Sequence, residues 1–177
     1  MKKLILFIFL IFSTNSYGSS IIETLPLKGS THKVYNFIIT EYNLFKKNFS
    51  QEVIYFCEKQ MVPNAGEQQL IQDTKCQYNA AVDLANKHKF NYGKFSKSLY
   101  RWHQNLFPLA KNTVIAMINC YSQSCRNEAL KNYVYKDIQL RERLFNDLDL
   151  NVKAIAEEAE LDFINLLKKT KKNAGRK

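Results

Sequence analysis

The sequence predicts an all-α fold, an up-down antiparallel four-helix bundle stapled by disulfides, and three observations predict it. Five glycines and three prolines in 177 residues leave too few turn formers for a sheet protein, while 46% apolar residues supply a core. Apolar residues recur at intervals of three and four through four long stretches, the repeat of a helix with one buried face. The four cysteines fall near the ends of those stretches, where up-down topology gathers them at one end of the bundle.

The chain opens with Lys2 and Lys3, an apolar run from Leu4 to Phe12 and a small-residue exit at Ser16, Tyr17 and Gly18. That is the pattern of an export signal. Its apolar run is far short of the ~20 residues that span a bilayer, so the expectation is a cleaved signal over 1–18, no transmembrane span afterwards, and residence in a bacterial periplasm or outside the cell. The remainder is expected to be one helical domain over 19–167 with a basic C-terminal tail over 168–177.

The first helix is expected over 30–61, with Val34, Phe37, Ile38, Tyr42, Leu44, Phe45, Phe49, Val53, Ile54 and Phe56 on one broad face, a cap at Ser30 or Thr31, and a stop at Pro63, Asn64, Ala65 and Gly66. The second, over 67–90, carries Leu70, Ile71, Ala80, Ala81, Leu84 and Ala85 and exits at Asn91, Tyr92 and Gly93. The third, over 95–121, carries Leu99, Trp102, Leu106, Leu109, Val114, Ile115, Met117 and Ile118; Pro108 lacks the amide a continuing helix uses, which predicts a kink or short break at 105–107. Ser122 or Ser124 caps a fourth segment over 126–172 whose apolar face reads Leu130, Val134, Ile138, Phe145, Leu148, Val152, Ile155, Ala159 and Leu166. A segment that long either overhangs or bends, and Asn146, Asp147 and Asp149 are the expected bend, which would make a fifth helix.

Four cysteines in an exported chain form a disulfide framework, and the preferred pairing is Cys57 with Cys76 and Cys120 with Cys125. The first pair is tight, because the two residues differ in depth from the turn by about one helical turn (~6 Å) while bonded cysteines need Cα atoms within about 7 Å. A small stagger of the helices would bring them together, and pairing across the two hairpins is the alternative. Cys-x4-Cys lacks the spacing of thiol oxidoreductases, so the role is structural.

The formal charge of +10 is unevenly placed. Lys2 and Lys3 belong to the signal, and Lys168, Lys169, Lys171, Lys172, Arg176 and Lys177 to the tail; of 26 basic residues this leaves 18 in the body, against 16 acidic ones. A balanced body argues against a nucleic-acid partner, and the tail alone could touch anionic lipid or cell-wall polymer. The histidines His32, His88 and His103 fall singly, without the Glu-x-x-His pairs of metal-holding bundles, so no metal and no cofactor are expected. Glu157, Glu158, Glu160 and Asp162 are scattered around their helix, and no nucleophile elbow, phosphate loop or zinc motif occurs. Tyr92, Tyr100, Trp102 and His103 form an aromatic group of the kind that anchors interfaces. The expectation is therefore a non-enzymatic exported protein that binds another envelope protein, in the class of inhibitors of cell-wall hydrolases and immunity proteins against exported toxins. An envelope-binding module acting through the basic tail and a metal-binding bundle are the alternatives.

Overall fold

A computed structural model describes residues 32–60, 68–90 and 93–174. The expected signal, the caps at Ser30 and Thr31, the stop from Pro63 to Gly66, Tyr92, Arg176 and Lys177 lie outside the described residues. Those described form an all-α bundle of four helices with no strand. Helix α1 comprises three consecutive stretches, His32–Phe49, a π-helical stretch Ser50–Tyr55, and Phe56–Gln60. It is followed by α2 (Gln69–Lys87), α3 (Gly93–Ile118) and α4 (Gln123–Ala174).

The chain divides into two compact units. One is Leu44–Asp149; the other is formed, among the described residues, by 32–43 and 150–174. In this second unit Val34, Ile38 and Tyr42 of α1 and Val152, Ile155, Ala156, Ala159, Phe163 and Leu166 of α4 are buried, as the three-four spacing of each stretch requires. Lys168, Lys169, Lys171 and Lys172 are exposed on its last turns.

The core of Leu44–Asp149 is aromatic. Phe49 packs against Phe45 of its own helix, Trp102 of α3 and Phe145 of α4 at ring-centroid distances of 5.7, 5.7 and 5.1 Å. Phe95 meets Phe45 edge-on at 5.2 Å and stacks on Phe90 at 4.8 Å. The Phe90 ring explains how α2 ends. Lys89 takes a left-handed conformation (φ 64°) while the Phe90 amide reaches back to the Ala85 carbonyl at 2.7 Å. This closure normally uses glycine. Here the fully buried Phe90 side chain offsets the strain of a lysine at that position.

Both disulfides pair as the sequence predicts, Cys57 with Cys76 and Cys120 with Cys125, at Cα separations of 5.7 and 5.6 Å. The π stretch just before Cys57 turns this cysteine onto the inward face. Phe45, Phe49, Val53 and Cys57 are all buried, and they follow one another at steps of four residues. In an α-helix each such step overshoots a full turn by about 40°, so three of them would rotate Cys57 about 120° away from Phe45. The wider π turn absorbs the overshoot and keeps Val53 and Cys57 facing inward.

Two expected interruptions are absent. Helix α3 continues through Pro108, with no break at 105–107. Gln104, whose carbonyl loses its donor to Pro108, is exposed together with Pro108 itself, so the proline is accommodated on the outer side of the helix. Helix α4 continues through Asn146–Asp149, so the expected fifth helix does not form. Its carboxylates are engaged across the bundle instead of competing for backbone amides: Asp149 pairs with Lys46 at 2.9 Å and Asp147 with Arg101 at 3.5 Å. At its start Ser122 is the cap, its Oγ accepting from the Cys125 amide at 3.2 Å.

Candidate functional site

Two surfaces of α4 within Leu44–Asp149 stand out, and they are the two sides of one stretch. The apolar row Leu130, Val134 and Ile138, expected to face the bundle, faces out, with Val134 51% exposed. The buried positions are their neighbours Tyr133 and Asp137, continued by Leu144 and Leu148. One residue along a helix is a rotation of about 100°, enough to exchange a core face for a surface face. The same hairpin exposes Ile115 and Ile118 near the end of α3, and Tyr121 and Tyr135. Exposed apolar groups concentrated on one hairpin are the usual mark of a binding surface. Its exposed charged residues over 111–143 are Lys111, Arg126, Lys131, Lys136 and Arg143 against Glu128 and Glu142, so the apolar row is set among mostly basic charge.

Behind the row lies a buried polar cluster: Asp73 and Gln77 on α2, one turn apart, and Tyr133, Asp137 and Arg141 on α4, at steps of four. Gln77 Nε2 donates to Asp73 Oδ2 at 2.6 Å, and the Arg141 guanidinium pairs with Asp137 Oδ2 at 3.0 Å. Asp73 Oδ1, Gln77 Oε1, Asp137 Oδ1, the Tyr133 hydroxyl and Arg141 Nε have no protein partner. Burial pushes the Asp73 carboxyl from its ordinary 3.8 up to about 6, with Asp137 and Glu58 adding like-charge repulsion that outweighs Arg141. Burial raises Asp137 too, against the pull of Arg141. The Tyr133 phenol is pushed up by burial and by both carboxylates.

A raised carboxyl binds its proton more tightly in the folded than in the unfolded chain. Stability from Asp73 is therefore fully present below about pH 4 and is lost as pH rises through about 6. Replacing it with the isosteric, uncharged Asn should remove that slope and stabilise the protein at pH 7.5 by on the order of 2 kcal/mol. Chemical denaturation of wild type and Asp73→Asn at pH 4.5, 6 and 7.5 measures this, and parallel pH profiles would contradict it.

The predicted aromatic group is divided by the fold. Tyr100 is exposed, accepting from Gln104 Nε2 at 2.7 Å, and His103 stacks on Tyr78 of α2 at 4.5 Å with Phe107 beside it at 5.9 Å. Burial and the Lys75 charge lower the His103 pKa. Trp102 instead points inward onto Phe49 and is 3% exposed, because it shares its helix face with Leu99 and Leu106. His88 is buried, edge-on to Phe45 at 6.4 Å. Among the described residues no three His, Cys, Asp or Glu side chains group to hold a metal ion. A groove of ≈ 660 Å³ runs between the π stretch and α2, lined by Phe56, Cys76, Ala80 and Leu84, with a Glu52–Lys87 ion pair of 2.9 Å at its wall.

The sequence reading missed Asp73, Gln77, Tyr133, Asp137 and Arg141. Their four-residue spacing on two helices was the available signal. No protein-family model, curated protein or solved structure matches the chain.

Proposed function

We propose that this chain is a non-catalytic binding protein that works outside the cytoplasm and docks its α3–α4 hairpin on another envelope protein. The exposed row Leu130, Val134 and Ile138 carries this reading, since three branched aliphatic side chains on one outward face lose most by staying in water. The surrounding Lys111, Arg126, Lys131 and Lys136 select a partner whose apolar patch has an acidic rim, and they disfavour self-pairing, which would bring like charges together. Inhibitors of cell-wall hydrolases and immunity proteins against exported toxins are the class this behaviour fits. Two disulfides suit an oxidising compartment, and among the described residues no helix is long and apolar enough to cross a membrane. A basic tail gripping anionic lipid or polymer is the second reading, favoured by the exposure of Lys168, Lys169, Lys171 and Lys172 without an acid among them.

Site-specific photo-cross-linking in the native envelope tests the docking surface. A probe at position 134 should give one stoichiometric adduct with an acidic-surfaced protein, a probe at the exposed Lys97 should not, and Val134→Asp should weaken binding of that isolated partner at least tenfold. Equal adducts from both positions, or wild-type affinity in Val134→Asp, would overturn the reading.

A further inference from the structure

The stretch of α4 that carries the docking row is the stretch that closes the polar cluster. Val134 and Ile138 face out while Tyr133 and Asp137 face in, toward Asp73 and Gln77 of α2. Each carboxylate there is half satisfied. One oxygen of Asp73 receives Gln77 and one of Asp137 receives Arg141; the other two, with Gln77 Oε1, receive nothing from the protein. The remaining donors, the Tyr133 hydroxyl and Arg141 Nε, are themselves unpartnered. The charges acting on Asp73 come from Glu58 of α1 and from Asp137 and Arg141 of α4. With both aspartates ionised, two buried carboxylates face one guanidinium, and Glu58 adds to the excess. A single proton corrects both faults, because it removes one negative charge and turns an orphan acceptor into a donor.

We propose that one proton, taken up by the cluster of Asp73 and Asp137 in mildly acidic surroundings, fastens α2 to the docking stretch of α4, and that its loss at neutral pH loosens that stretch. The hairpin then presents its row as a fixed surface in acid and as a mobile one at neutrality, which makes partner binding stronger in acid. Only this consequence rests on the docking reading; the fastening does not.

Hydrogen exchange followed by mass spectrometry on the full chain without partner, at pH 5 and 7.5 and corrected for the intrinsic pH dependence of exchange, tests it. Peptides covering 126–141 and 69–80 should lose about tenfold or more protection at pH 7.5, while 95–106 should change little. Asp73→Asn should hold both regions at their acid-level protection at either pH. Asp137→Asn should do the same, and Asp73→Asn decides if losing the Arg141 partner unfolds Asp137→Asn. Equal protection at the two pH values in wild type, a loss spread evenly over 95–106 as well, or a pH dependence retained in Asp73→Asn would overturn the inference. None of these outcomes bears on Val134→Asp, so the docking surface stands or falls separately.

Discussion

Phe49→Ala is expected to destabilise the protein by about 3–5 kcal/mol, the largest effect of any single substitution in the core. Phe49 is 1% exposed and is where three helices meet, through Phe45, Trp102 and Phe145. Removing the ring deletes the transfer energy of a buried aromatic and three ring contacts in one change. It also opens a cavity that neighbouring rings held in edge-on geometry cannot fill by small shifts. Against the roughly 5–15 kcal/mol that stabilises an ordinary domain, this is about a fifth of the total or more, corresponding to about 6–20 °C in melting temperature for a chain of this length. The protein has one tryptophan, and it lies against Phe49, so denaturant titration followed by its fluorescence reads the same site that is altered. A cost below about 1 kcal/mol would mean that the three helices are joined elsewhere.

The inward faces of the first three helices were legible in their middles, where Phe45, Leu84, Leu99 and Leu106 sit where a 3.6-residue repeat puts them, while Leu44, Phe56, Ile115 and Ile118, expected on the same faces, are exposed. The first turns of α4 were misread for a reason specific to them. From residue 130 to 138 an apolar row and a polar row run side by side, one residue apart, and periodicity favours whichever is more hydrophobic. The chain buries the other. Tyr133 and Asp137 go inward, which leaves Leu130, Val134 and Ile138 outside and produces both the docking row and the polar cluster. A reading based on transfer energies alone cannot find a site whose defining property is that it opposes them.

The cysteine pairing was legible from chain order and topology, but not the device that makes the first pair reachable. Three consecutive four-residue steps between buried positions, from Phe45 to Cys57, are the sequence trace of the π stretch. Pro108 and the Asn146–Asp149 segment misled in the opposite direction. Each is a helix breaker by local preference, and in each the surroundings decide: exposure at Pro108, and ion pairs to Lys46 and Arg101 for the aspartates.

Removing the Cys57–Cys76 bond with Cys57→Ala and Cys76→Ala together should cost about 3 kcal/mol, and removing Cys120–Cys125 about 2 kcal/mol, since loop-closure entropy grows with the length of chain closed. The sequence separations are 19 and 5 residues. In thermal unfolding this amounts to losses of about 6–12 °C and 4–8 °C. The first variant carries an additional structural consequence, because the bond anchors α1 directly after its π stretch. Without the tether the stretch is free to relax to α-helical pairing, which rotates residue 57 off the α2 face and should raise hydrogen exchange over 50–60 more than elsewhere. The second bond closes the hairpin that carries the apolar row, so its loss should weaken capture by the position-134 probe at temperatures where the core is still folded. The two staples would then separate by phenotype, one governing stability and the other the binding surface. Similar loss of stability with undiminished capture in the second variant would instead confine the docking surface to the α4 row, independent of how the hairpin is closed.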